Sequence, residues 1–155
     1  AGRFAEAVRH YERGLEIHPE FYEASLNLGV TLERLGQSER AAACYQDAIR
    51  SRPDLASPHY QLGKLLLSLD DADGAVRELR RGLEAEPEHA ESWLELSRAL
   101  ARRGDDSEAI ASVRRAVALR PAWEAAHRQL EVLIPSSGTD SPASVRRGSS
   151  GSSPR

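Results

Sequence analysis

The sequence is short of most residues that build a reactive or cross-linked protein. It has one cysteine among 155 residues, no methionine, two tryptophans and two phenylalanines. A lone Cys44 excludes an internal disulfide and any cysteine-based metal cluster. No apolar run approaches the roughly 20 residues needed to cross a bilayer, so no membrane insertion is expected. A basic excess is missing too: the net charge is −3. The segment after residue 134 sets Asp140 against Arg146, Arg147 and Arg155, a net of +2, which leaves −5 on the rest. That balance argues against a nucleic-acid footprint. Lys64 is the sole lysine. The chain opens on AGRFAEA, with neither an initiator methionine nor a signal-peptide pattern, as expected of an excerpt from a longer protein. A cytoplasmic location is the expectation.

What the sequence does have is a period. Pro19, Pro53, Pro87 and Pro121 stand 34 residues apart, and such self-similarity marks a stacked array. Leu28, Leu62, Leu96 and Leu130 form one apolar column, and Leu32, Leu66 and Leu100 a second. Gly29, Gly63 and Ser97 lie beside the first. Ala7, Ala41, Ala75 and Ala109 open the second half of each unit, followed by Tyr11, Tyr45, Leu79 and Val113, then Gly14, Ala48, Gly82 and Ala116. Spacings of three and four within each half predict helix, and the reset at each proline predicts two antiparallel helices per unit. Small residues should let the paired backbones approach, with Gly29 facing Ala41.

This pattern resembles the tetratricopeptide repeat, whose signature runs W-x₂-L-G-x₂-Y, A-x₃-F and P at the same period. The resemblance covers about Gly2 to Ile134. It departs at the Trp column, which holds Ser25, His59, Trp93 and His127, and at the Tyr column, where Leu32, Leu66 and Leu100 stand. The implied fold is all-α: an α-α superhelix of helical hairpins with a C-terminal capping helix. The units are a half repeat over 1–21, full repeats over 22–55, 56–89 and 90–123, and a cap over 124–134. Residues 135–155, rich in Ser, Gly, Pro and Arg, should form a disordered tail.

Local signals place the ends. Gly2 falls in a turn by register, so Phe4 to Ile17 reads as a second helix with Phe4 and Val8 on an exposed apolar face. Ser38 is the expected N-cap of its helix, Asp70 or Asp71 that of the next, and Asp105 with Glu108 makes an acidic capping box. Pro58 fits a first helical turn. Glu131 occupies the close-contact column of the last helix. A carboxylate there could not be covered by another helix without a several-kcal/mol desolvation cost, so this helix should end the array.

In such a superhelix the first helices line the concave face. Asn27, Gln61, Glu95 and Gln129 form one row there, with Leu26, Tyr60, Leu94 and Arg128 beside it and Val30, Lys64, Arg98 and Val132 one turn on; Arg34 and Arg102 follow. The expected function is a protein-protein interaction scaffold that holds an extended peptide in this groove. The amide row would bond the peptide backbone, and Lys64, Arg98 and Arg102 would select acidic groups. Four helices at 8–10 Å spacing give roughly 30 Å of groove, room for about nine extended residues, and micromolar affinity, near −8 kcal/mol, is the expectation. The amide row is similar to the asparagine ladder of the O-GlcNAc transferase repeat arm, although only Asn27 matches in type. That resemblance implies a second reading, the substrate-recognition arm of a larger enzyme such as a glycosyltransferase. A third is self-association through the Phe4/Val8 end. Chaperone C-termini are not expected, since the carboxylate clamp needs Lys and Asn where this chain has Leu26 and Val30.

No enzymatic activity, metal or cofactor is expected. His10, His18, His59, His89 and His127 make no metal pair at helical spacing, and His59 and His127 read as packing residues in the Trp column. Cys44 has no neighbouring group to activate it. The Asp70, Asp71, Asp73 cluster lacks the spacing and closing Glu of a calcium loop. Arg146-Arg147-Gly148-Ser149 resembles a basophilic kinase site.

Overall fold

A computed structural model describes residues 2–134 of the protein. Eight helices follow one another: α1 Gly2–Ile17, α2 Tyr22–Arg34, α3 Ser38–Ser51, α4 Ala56–Ser68, α5 Ala72–Ala85, α6 Ala90–Arg103, α7 Asp106–Leu119 and α8 Glu124–Leu133. The closest partners are α2 with α3, α4 with α5, and α6 with α7, so the unit is a helical hairpin; α8 closes against α7. The fold is therefore the all-α array with a capping helix that the period predicts. Pro135, the 135–155 tail and Ser149 lie outside the described residues.

The prolines act where expected. Arg52, Glu86 and Arg120, each directly before a proline, have φ of −139°, −130° and −137° with ψ of 77°, 87° and 81°. A proline ring clashes with an α-helical residue in front of it, so the helix must stop there. Inside the hairpins the chain turns through Gly36, Asp70 and Gly104, all left-handed at φ 74°, 65° and 86°. After each, an amide returns to the last helical turn: Gln37 to Leu32, Asp71 to Leu66 and Asp105 to Leu100, each at 2.9 Å. These bonds satisfy carbonyls that the helix end would otherwise leave open.

Capping differs in part from the sequence expectation. Asp71 caps α5, its Oδ1 accepting from the Gly74 amide at 2.8 Å. For α3 the cap position is Gln37 and Ser38 is already helical. Gln37 Oε1 accepts from Arg40, and no side chain caps that helix. Asp105 does precede α7, but its carboxylate pairs with Arg103 at 2.7 Å and makes no capping bond. Glu108 instead reaches Arg80 of α5 at 2.5 Å. Both carboxylates of the expected box thus face arginines, Glu108 in a charge-assisted hydrogen bond and Asp105 in an ion pair alone.

The small-residue columns do bring the hairpin halves together, but against large side chains. A Cβ on Gly29 would lie 2.5 Å from Cε1 of Tyr45, and one on Gly63 would lie 2.6 Å from Cγ of Leu79. The nearest neighbour of Gly29 is thus the Tyr45 ring. Tyr45 is fully buried and donates its hydroxyl to Glu33 Oε2 at 2.8 Å. Each glycine is a socket for the side chain four residues after the alanine column.

The first helix is corrected twice. Gly2 is helical, not in a turn. Val8 is 9% exposed and packs with Leu28, Leu32 and Tyr45, while Tyr11 and Leu15 continue the same stripe at i+3 and i+7. Phe4, 39% exposed, remains outside it beneath the Arg34 guanidinium, 5.8 Å from the ring centroid. The apolar face expected of Phe4 and Val8 together is therefore split between surface and core. At the other end Glu131 is exposed, as are Val132 and Ile134.

Candidate functional site: the face of the first helices

Among the described residues α4 touches α6 and α6 touches α8, whereas no pair of second helices reaches comparable contact. Helices that crowd on one side and splay on the other curve the array, and the crowded side is concave. The first helices α4, α6 and α8, beginning at Ala56, Ala90 and Glu124, line it.

Two clusters form on this face. On α4, Tyr60 is half-buried, its ring 5.5 Å from that of His89 and tilted by 54°. The Lys64 ammonium lies 5.6 Å from the same ring centroid, a cation–π position. Burial raises the Tyr60 hydroxyl above its ordinary pKa, and the nearby carboxylates of Glu95 and Glu91 add to the shift. Gln61, half-buried, follows on the same helix.

The second cluster joins α6 to α8. Arg98, Arg102 and Gln129, with Leu67 and Ala101, border a depression of about 340 Å³. Arg102 donates to the Leu67 carbonyl at 2.9 Å and stands 3.5 Å from Asp70, which holds it across the end of α4. Arg98 binds Glu95 at 2.6 Å. One guanidinium is thus balanced by a carboxylate and the other rests on a carbonyl.

Two residues expected on this face offer it almost no surface. Leu94 is 2% exposed and packs with Val113, Ala116 and Ala126. Glu95 is 8% exposed and serves as the counter-ion of Arg98. Neither can meet a ligand as placed. Leu94 is covered by α7 and α8 together, and a column rule that treats every repeat alike cannot register it. Asn27 and Arg128 are exposed, and Leu26 and Val30 are half-buried against the core. His89, Leu67 and Ala101 join these two clusters without having been expected there. The positions 34 residues either side of His89 are Leu55 and Trp123, so no column marks it.

Other reactive side chains are structurally committed. Cys44 is half-buried, and burial pushes its thiol above the ordinary value, with Asp47 adding to the effect. His59 is buried against Glu78, Nδ1 to Oε2 at 3.0 Å. His127 is exposed and donates to the Pro121 carbonyl at 2.7 Å. Trp93 makes the same bond to the Pro87 carbonyl at 2.7 Å, so histidine stands in for tryptophan as a donor. Among the described residues no three His, Cys, Asp or Glu side chains converge as metal ligands would. No described helix is long and apolar enough to cross a membrane.

The family profile described as "Tetratricopeptide repeat" matches residues 1–56 and 60–126. No curated protein matches the sequence. Among solved structures, MamA from Desulfovibrio magneticus RS-1 superimposes with a TM-score of 0.77 at 23% identity, over 86% of this chain and 76% of that one. YrrB, a TPR protein with an unusual peptide-binding site, gives 0.72 at 20% identity over 86% and 69%. The first TPR domain of Spaghetti (RPAP3), solved bound to an HSP90 peptide, gives 0.71 at 14% identity over 74% and 90%. At these identities the likeness is one of fold.

Proposed function

The chain belongs to the tetratricopeptide repeat family, and from that premise we propose that it is a protein-interaction scaffold holding an extended peptide segment of a partner against its first helices. It acts by binding and not as an enzyme. The observation that carries this reading is the alignment of α4, α6 and α8 into one curved face, with Tyr60 and Lys64 at one station and Arg98, Arg102 and Gln129 at the next. Gln61 and Asn27 extend the polar row toward the N-terminal end. Leu94 and Glu95 serve as support. The arginines favour a segment carrying carboxylates, and the HSP90-peptide complex of the Spaghetti domain offers a parallel for peptide capture on this fold.

The proposed units are a half repeat over 1–21, repeats over 22–55, 56–89 and 90–123, and a cap over 124–134. Helix pairing supports them. Self-association through the Phe4/Val8 end has weaker support, since of that pair Phe4 is exposed while Val8 is in the core. An O-GlcNAc-transferase-like arm is not favoured either, because Glu95 breaks the amide row and is buried.

The test is capture from an acidic-peptide library by the full chain and by Lys64→Glu/Arg102→Glu. The expected result is loss of the captured set with helical circular dichroism unchanged. Equal capture by both proteins would move the site away from the first helices.

A further inference from the structure

A second concavity opens along the second helices. Between α5 and α7, which as second helices splay apart, Leu83, Trp93 and Leu96 line a slot of about 530 Å³. At Arg115 it meets a second depression of about 850 Å³ that runs on past Glu88 and Arg120. Along α7 the two extend from Glu108 to Arg120, about 18 Å at ~1.5 Å per residue, the length of roughly five extended residues.

The slot exists because this junction departs from the one before it. Thirty-four residues earlier, the places of Trp93 and Ser112 are taken by His59 and Glu78. There the buried His59–Glu78 pair, braced by Arg81 at 2.9 Å from Glu78, occupies the space. Here Ser112 is too short to fill it, and the indole of Trp93 forms one wall.

The rim carries the charge information. Five glutamates and three arginines border the two concavities. Arg80 is paired with Glu108 and Arg120 with Glu91. That leaves three glutamates, Glu84, Glu86 and Glu88, against Arg115 among the described residues, an excess of two negative charges. Glu86 is further held by the Ala56 amide at 2.9 Å, so Glu84 and Glu88 are the outward pair. An apolar floor under a net acidic rim complements an apolar anchor flanked by cations.

We propose that the α5/α7 trough is a second docking surface, distinct from the Tyr60/Lys64 and Arg98/Arg102 stations although His89 borders both, for a basic peptide segment of a partner protein that seats one large apolar side chain on Trp93. The array would then hold two segments of opposite charge. The anchor displaces water from Leu83, Trp93 and Leu96, and the flanking basic groups reach Glu84 and Glu88.

The probe is a fluorescein-labelled hexapeptide of alternating leucine and arginine, followed by anisotropy against the full chain. Saturable binding is expected, at least tenfold weaker when glutamate replaces arginine in the peptide. Glu84→Arg/Glu88→Arg should weaken it at least fivefold, and so should Ser112→Glu, which gives this junction the residue type of the preceding one. Should Ser112→Glu fail to fold, the rim variant decides. Lys64→Glu/Arg102→Glu, at residues that do not line the trough, should leave it within twofold, as should Glu6→Arg/Glu16→Arg, an equal charge change on α1. The proposal is overturned by absence of saturable binding, by an unaltered rim variant, or by an equal loss in either control. It is also overturned if Arg146→Glu/Arg147→Glu tightens probe binding more than fivefold, since the trough would then belong to the chain's own Val145-Arg146-Arg147.

Discussion

Tyr45 lies over Gly29 so closely that a methyl group at Gly29 would stand 2.5 Å from its Cε1 and 2.7 Å from its Cδ1. The ring is fully buried and tied by its hydroxyl to Glu33, so it has little freedom to withdraw. Gly29→Ala should therefore lower stability by about 1–3 kcal/mol, the usual cost of overpacking, despite the better helix propensity of alanine. Urea denaturation measures it, and Tyr45→Leu in the same chain should recover part of the loss. A melt unchanged by Gly29→Ala would show that the ring moves freely.

At the hairpin turns the left-handed residue is glycine twice and Asp70 once. An L-residue carries a steric cost there that glycine avoids, partly offset because glycine is looser in the unfolded chain. Asp70→Gly should stabilise the protein by about 0.5–1 kcal/mol, seen as a higher Tm. The exposed 3.5 Å contact of Asp70 with Arg102 is too long to reverse that sign.

The hydrogen bond from His59, with Arg81 beside it, holds the Glu78 carboxyl below its ordinary value of 4.5. A lowered carboxylate stabilises the fold fully above the unfolded value, and that contribution fades as pH falls through the folded one. Thermal stability should thus hold from neutral pH to about 4.5 and drop below it. Glu78→Gln should be less stable at neutral pH and show a shallower acid decline. Parallel declines in both proteins would remove Glu78 as a cause.

Leu94 separates packing from binding. Its burial against Val113, Ala116 and Ala126 predicts that Leu94→Ala costs about 2–5 kcal/mol. Capture of a peptide by the remaining folded fraction should be unaffected. Weakened capture with an unchanged denaturation midpoint would restore Leu94 to the ligand face.

The Trp93 and His127 bonds show how a repeat can be legible while its chemistry is not. The period placed both residues in one column, and both donate to the carbonyl of the proline six residues before them. Yet Trp93 is half-buried and lines a slot while His127 is exposed, because among the described residues Trp93 has helices on both sides and His127 does not.

The sequence alone determined the eight helices' order, the hairpin pairing and the stops, since 34-residue spacing, three-and-four periodicity and proline sterics act locally and repeat. Only the tertiary structure decided which side chains reach solvent. Val8, Leu94 and Glu95 turned inward, Gly29 took a tyrosine ring, and a trough opened beside Ser112, because burial depends on what the neighbouring helix brings. A column of equivalent positions carries no record of its neighbours, so the surface that binds had to be read from packing.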